Sequence, residues 1–124
     1  MHRIRTHRES DVLVLTAEGE LDAFIAPALT ESLDAAARDP DGRLLADLSR
    51  VSFMDSTALG ALVRAVNEVL QGGGHARIVL PTTAARRIFE ITTLDSALPV
   101  APTRAEALRQ LQVPGDGAPT AERS

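Results

Sequence analysis

The period of the hydrophobic pattern changes once, abruptly, in the middle of the chain. That change constrains the fold more than any other feature. From Leu44 to Leu48 the residues read L-L-A-D-L, a nearly continuous apolar run of the kind found in a strand buried on both faces. Val51, Phe53 and Met54 then lead into the polar triplet Asp55-Ser56-Thr57. Beyond it, Leu59, Leu62, Val63, Val66 and Leu70 recur at helical spacing, with Arg64, Asn67, Glu68 and Gln71 elsewhere on the wheel. A strand that feeds an amphipathic helix through a polar joint belongs to an alternating α/β chain. Either Asp55 or Ser56 is a natural N-cap for that helix.

The flanking segments follow the same logic. Asp11–Ala17 (D-V-L-V-L-T-A) reads as a strand, and Ile4–His7 as a shorter strand pairing with it. Gly19-Glu20-Leu21-Asp22 breaks the pattern. A helix starts at Pro27, with Leu29 and Leu33 four apart and Ala36 and Ala37 extending the face, and stops at the turn cluster Asp39-Pro40-Asp41-Gly42. Gly72-Gly73-Gly74 ends the central helix, because glycine accepts the left-handed conformation there. Ala76–Leu80 is the next strand, closed by Pro81. Thr82 or Thr83 caps a third helix running through Ile91, with Ala85, Ile88, Phe89 and Ile91 facing inward. Leu98–Ala101 is a last short strand. Thr103, with Glu106 three residues on, forms a capping box for a final helix that packs Leu108 and Leu111 inward. Two opening strands followed by this alternation predict an α/β fold: one mixed sheet of four or five strands, with about four helices mainly on one side. Residues 1–112 form one domain. From residue 113 the chain turns to Pro, Gly and small polar residues, and a disordered tail is expected over 113–124.

Composition removes several classes of function. Three Phe, no Tyr and no Trp leave no stacking platform for bases or sugars. The 13 basic residues, all Arg, are outnumbered by 17 acidic ones for a formal charge of −4, so a phosphate backbone has no electrostatic purchase and no nucleic acid is expected as a partner. The absence of cysteine excludes disulfides and thiolate zinc sites. His2, His7 and His75 stand alone without metal-ligand spacing, and neither a metal nor a cofactor is expected. The polar start and the lack of a long apolar run predict a cytoplasmic protein without a signal peptide or membrane span.

The chemistry is expected at the strand–helix joint Ser52–Gly60 (S-F-M-D-S-T-A-L-G). Partners of open α/β sheets dock at the C-terminal ends of the strands. A helix start there adds free N–H groups and the positive end of a dipole, a favourable place for a phosphate on Ser56. Taken alone, Asp55 or Ser56 before a helix is usually only a cap. The company of Thr57 and of a second acidic loop at Gly19–Asp22 goes beyond a cap. Ser56 as a hydrolytic nucleophile fails, because no G-x-S-x-G elbow or ordered acid and base accompany it, and no enzyme activity is expected. The triple glycine follows a helix rather than a strand, so it is a helix end and not a phosphate loop. Arg86-Arg87 reads as a solvated face, and Asp95 and Ser96 as a helix-terminating loop.

G-E-L-D at Gly19–Asp22, D-L-S at Asp47–Ser49, F-M-D-S-T-A-L-G at Phe53–Gly60 and R-I-F-E-I-T at Arg87–Thr92 occur in order, over about Val12 to Leu111. Together they resemble a STAS domain, and more narrowly the bacterial anti-sigma factor antagonists. The resemblance implies a partner-switching cycle. The unphosphorylated protein binds an anti-sigma factor serine kinase and so frees a sigma factor. The kinase then phosphorylates Ser56 (Thr57 being the less favoured acceptor), and a metal-dependent serine phosphatase reverses the step. It implies a contact surface of Glu20, Asp22, Phe24, Asp55, Ser56, Thr57, Ala58 and Leu59 on a protein that is monomeric when free; Leu59 and Leu62 are expected to be mostly core, with any exposed edge helping to dock the partner. Ala58 stands where the family pattern has Gly; alanine is the better helix former by roughly 1 kcal/mol, and its methyl is expected to stiffen the helix start and crowd a partner. The alternative within the family is a passive STAS scaffold or adaptor, in a signalling or lipid-transport complex, that is never phosphorylated.

Overall fold

The computed structural model describes residues 2–38, 42–82, 84–92 and 98–112. Strands β1 (His2–Glu9), β2 (Val12–Leu21), β3 (Arg43–Met54), β4 (His75–Val79) and β5 (Val100–Ala101) form one sheet in that spatial order. β1 is antiparallel to β2 and every other pairing is parallel, so the sheet is mixed. The helices are α1 (Ala26–Ala37), α2 (Ser56–Gln71), α3 (Arg86–Thr92) and α4 (Arg104–Gln112). The β1–β2 hairpin closes over Ser10-Asp11, with Glu9 opposite Val12 and Ser10 in the left-handed region at φ 54°.

Both faces of the central strands are buried, which explains their continuous apolar pattern. Leu15, Ala17 and Leu21 of β2 and Leu44, Ala46 and Leu48 of β3 join the larger core with Leu29 and Leu33 of α1, Leu62 and Val66 of α2 and Phe89 of α3. Val12, Val14, Leu45 and Val79 point the other way, onto Ala107 and Leu111 of α4. Three helices therefore cover one face and α4 alone covers part of the other.

Two register shifts shape the functional end of the sheet. Thr16 pairs with Asp47 but Glu18 with Arg50, and Gly19 pairs with Val51 but Glu20 with Phe53. At each shift β3 carries one residue more than β2. Each insertion resets the inward–outward alternation, so Val51 and Met54 are buried while Phe53 is turned out.

Several boundaries differ from expectation for physical reasons. Gly19–Leu21 does not break β2; it continues the strand through the second irregularity, where Gly19 adopts φ 86°. α2 buries Ala58, Leu59, Ala61, Leu62, Ala65, Val66 and Val69, while Leu70 is left 39% exposed. The small alanines let the helix sit close to its neighbours, and the inward stripe centres on them rather than on the line through Leu70. The left-handed residue after α2 is Gly73 (φ 91°), whereas Gly72 is at φ −82°. Thr82 does not cap α3, which starts only at Arg86; its hydroxyl lies 3.3 Å from the Ser49 carbonyl and ties the chain to β3. At α4 the Thr103 hydroxyl accepts the Glu106 amide at 3.1 Å, but the Glu106 carboxylate turns to Arg109 and Gln110 instead of completing the box. Leu111 is buried as expected, with Ala107 beside it, and Leu108 is half-buried. Asp39–Asp41, Thr83, Asp95, Ser96, the side chains of Ala36, Ala37 and Ile91, and the expected tail at 113–124 lie outside the described residues.

Behind the sheet, Asp47 is the one buried charged residue among those described. Arg104, the first residue of α4, places Nη1 3.1 Å from Asp47 Oδ2 and 3.1 Å from Thr16 Oγ1, and Nη2 3.4 Å from Glu9 Oε1. The other Asp47 oxygen accepts the Ser49 amide at 3.0 Å and its hydroxyl at 2.7 Å. The Glu9 carboxyl is held below its usual range, first by its hydrogen bond with His7 and then by Arg104. A buried carboxylate is tolerated only while it is paired. Replacing Arg104 by Ala strands Asp47, and a loss of about 2 kcal/mol is expected, below the range for a fully buried pair because Arg104 keeps some solvent contact; urea denaturation measures it.

Gly74 is the second structural hinge. A Cβ there would lie 2.6 Å from the Gly42 carbonyl oxygen and 2.9 Å from Val69 Cγ1. Gly74 also donates its amide to Val69, and His75 donates to Gly42, which fixes the α2–β4 turn against the start of β3. Gly74→Ala is expected to cost about 1–3 kcal/mol by overpacking, seen in thermal unfolding as a Tm lower by roughly 5–10 °C.

Candidate functional site

The candidate site lies at the C-terminal ends of β2 and β3, where two short joints lead into α1 and α2. In the first, the Asp22 carbonyl accepts the amides of Ile25 (3.0 Å) and Ala26 (3.1 Å). Its carboxylate Oδ1 accepts those of Phe24 (3.1 Å) and Ile25 (3.3 Å). Asp22 thus winds the chain into α1 by the side-chain-to-backbone bonding that suits Asp at helix starts. In the second joint Asp55, in an extended conformation, is the N-cap of α2: Oδ1 accepts the Ala58 amide at 3.0 Å. The choice between Asp55 and Ser56 as cap is therefore settled in favour of Asp55.

Asp55 also connects the joints. Its Oδ2 accepts the Ala23 amide at 2.9 Å, and its own amide donates to the Leu21 carbonyl at 3.1 Å. One side chain satisfies an orphan donor at the start of α2 and pins the β2–α1 loop beside it. Ser56 and Thr57, the first two residues of α2, stand exposed next to this bridge. Among the described residues the Ser56 hydroxyl has no hydrogen-bond partner. A groove of about 880 Å³ runs from this point between α1 and α2, with Ala23, Pro27 and Thr30 on one wall and Ser56, Gly60 and Arg64 on the other. Glu31, Asp34 and Arg38 of the first wall give it mixed charge.

Six expected residues come together here. Glu20 is exposed at the end of β2, Asp22 and Phe24 are exposed in the following loop, and Asp55, Ser56 and Thr57 form the second joint. Two do not. Ala58 is fully buried and Leu59 only 3% exposed, both within the main core. The burial of Leu59 is as expected, but neither side chain offers surface to a partner, and their place in the contact surface is corrected: at the third and fourth positions of a helix lying on a sheet, the chain has already turned inward. The Ala58 methyl likewise cannot crowd a partner from inside the core.

Sequence reasoning missed the α1 wall of the groove, whose residues carry no motif, and the exposure of Phe53 (49%). Phe53 did carry a signal, since adjacent Phe53 and Met54 cannot both face inward from one strand. Among the described residues no group of His, Cys, Asp and Glu could hold a metal ion, and no helix is long and apolar enough to cross a membrane.

Comparison with known proteins accords with this architecture. The family model for the STAS domain matches residues 3–107. The chain is 32% identical over 93 residues to the anti-sigma-B factor antagonist of Listeria monocytogenes, spanning 75% of this chain and 82% of that protein. Its fold matches the crystal structure of an anti-sigma factor antagonist from Mycobacterium paratuberculosis with a TM-score of 0.77 at 29% identity, over 90% of this chain and 95% of that one. It also matches the Bacillus cell fate determinant SpoIIAA in its phosphorylated form, with a TM-score of 0.68, over 89% and 100% of the two chains; at 20% identity this is a likeness of fold. The chain belongs to the STAS domain family, and the α/β fold with five strands and four helices is the one its relatives share.

Asp55→Ala removes a cap and the loop's anchor together. A loss of about 1–2 kcal/mol is expected, with faster amide hydrogen exchange at Ala23 and Ala58 and little change in the β1–β2 hairpin; exchange mass spectrometry reads all three.

Proposed function

We propose that this chain is an anti-sigma factor antagonist of the bacterial cytoplasm, switched by phosphorylation on Ser56. Unphosphorylated and monomeric, it binds an anti-sigma factor that is also a serine kinase, and the engaged kinase releases its sigma factor. The kinase transfers the γ-phosphoryl group of ATP to Ser56 Oγ. The bond from that phosphorus to the ADP oxygen breaks, and the hydroxyl proton passes to a base of the kinase. A metal-dependent serine phosphatase later restores the hydroxyl.

The observation that carries this reading is the setting of Ser56. It is exposed, at the first position of α2, beside a cap that Asp55 already supplies. Because the Ser56 hydroxyl bonds to no other group among the described residues, its modification is expected to cost the fold little. The positive end of α2 then faces the added phosphate. The contact surface comprises Glu20, Asp22, Phe24, Asp55, Ser56 and Thr57, on loops fixed by backbone hydrogen bonds. The names of the relatives support the same assignment. The Ala58 methyl, which lies in the core, gives no surface feature that would favour the passive scaffold.

Incubation with the anti-sigma factor serine kinases of the same organism, ATP and magnesium is expected to add one phosphate, located on Ser56 by peptide mapping and absent from Ser56→Ala. Ser56→Asp is expected to bind the kinase–ADP complex at least about thirtyfold more weakly, equivalent to roughly 2 kcal/mol, the desolvation cost of a charge placed in the contact. A chain that stays unmodified, or a Ser56→Asp variant that binds as tightly as the wild type, overturns the switch.

A further inference from the structure

The chain has three aromatic rings, and two of them are on the surface at the same end of the sheet. Phe89 is fully buried, whereas Phe24 is 88% and Phe53 49% exposed. Leaving a ring in water forgoes roughly 2–3 kcal/mol of burial. A single exposed apolar residue needs no explanation, but these two flank one locus. Phe53 pairs in register with Glu20, and Met54 with Leu21. Phe24 follows three residues after Leu21, its amide held by Asp22 and its neighbour Ala23 held by Asp55. The backbone on both sides is therefore fixed, and the rings are presented from rigid positions at low entropic cost.

The inserted residue in β3 between the Gly19–Val51 and Glu20–Phe53 pairs is what turns Phe53 outward. Since Leu15, Ala17 and Leu21 face the main core, Glu20 and its partner Phe53 lie on the opposite face of the sheet, beyond the part covered by α4. Phe24 stands in the loop that leads to α1. Phe53 thus lies two residues before the Asp55 joint on β3, and Phe24 in the neighbouring loop that Asp55 holds. Along the same stretch Glu20 and Asp22 are exposed, and Asp55 is half-buried.

We propose that Phe24 and Phe53 are the apolar anchors by which a protein partner grips the Ser56 end of the molecule. The partner surface they fit has two apolar pockets with basic side chains around them, complementary to Glu20, Asp22 and Asp55. The inference rests on the reading of the chain as a kinase-binding antagonist, and its occupant is that serine kinase. Aromatic residues dominate the energetics of such contacts when they enter desolvated pockets. A phosphate on Ser56 opposes this apolar contact through the cost of stripping water from a dianion at its edge.

The test is calorimetric titration of the kinase–ADP complex with wild type, Phe24→Ala, Phe53→Ala and the double variant. Each single change is expected to weaken binding about tenfold or more, and the double change further, with thermal unfolding unaltered because neither ring is in the core. Phe53→Leu, which keeps apolar bulk, is expected to recover part of the loss. Glu20→Gln is expected to lessen the salt dependence of wild-type binding. A double variant that binds like the wild type overturns the anchors while leaving the antagonist reading intact. A wild-type chain that binds none of the organism's anti-sigma kinases overturns both.

Discussion

The Asp55 carboxylate is the joint on which the functional end of this molecule is assembled. Its two oxygens reach different elements, Ala58 at the start of α2 and Ala23 in the loop before α1, while its amide closes the sheet against Leu21. Each bond is modest, about 1 kcal/mol net. Their importance is geometric, because together they start two helices side by side from the ends of two adjacent parallel strands. The α1–α2 groove and the placement of Ser56 at its mouth follow from that. Asp55 therefore positions the exposed groups around it through these bonds, besides lending its charge to their surface.

Positioning matters here because the core is plain. It is built from Leu, Val, Ile and Ala with a single buried ring, and such side chains give volume without much directional preference. Directional control comes instead from a few polar devices. Asp22 winds α1, Asp55 joins the two strand–helix turns, and Arg104 ties α4 to Asp47 and Thr16 behind the sheet. The alanines along α2 contribute in the opposite sense, by being small enough for the helix to approach its neighbours closely. The polar devices sit at element ends, where orphan backbone groups need partners, and so the same residues that finish the helices define the surfaces of the molecule.

The parts of this structure that sequence made legible are those governed by local rules. The change of period at Asp55 marked the strand–helix joint, the run Leu44–Leu48 marked a strand buried on both faces, and the order of elements gave the mixed sheet. The exposed residues Glu20, Asp22, Phe24, Ser56 and Thr57, with half-buried Asp55, were readable because each lies in or beside a joint. What escaped depends on relations between segments. The two insertions in β3 exist only relative to β2, so Arg43–Met54 alone shows that Phe53 and Met54 cannot both face inward, but not that Phe53 is the one turned out. Ala58 and Leu59 belonged to a motif in sequence, yet helix geometry turns them inward one step after Thr57. Leu70 fell on the expected stripe, but the alanines shift the buried face to Val69. Thr82 looked like a cap and is a tether to Ser49, a partner distant in sequence.

The energetic consequence of modifying Ser56 also follows from this arrangement. A phosphoserine carries roughly −1.5 to −2 charges at neutral pH. At the first position of α2 it gains from the helix dipole, an effect of about 0.3–1 kcal/mol for an exposed charge. It also lies beside the Asp55 carboxylate, and like charges about 4 Å apart in water repel by roughly 1 kcal/mol. The two effects oppose each other with similar magnitude, so the folded chain is close to indifferent to the phosphate. In the proposed switch the discrimination then arises outside the chain, where a desolvated partner surface would meet the same charge without water to screen it. Under that proposal the module can be modified and restored repeatedly while its own stability, and the alignment of the loops that Asp55 fixes, change little.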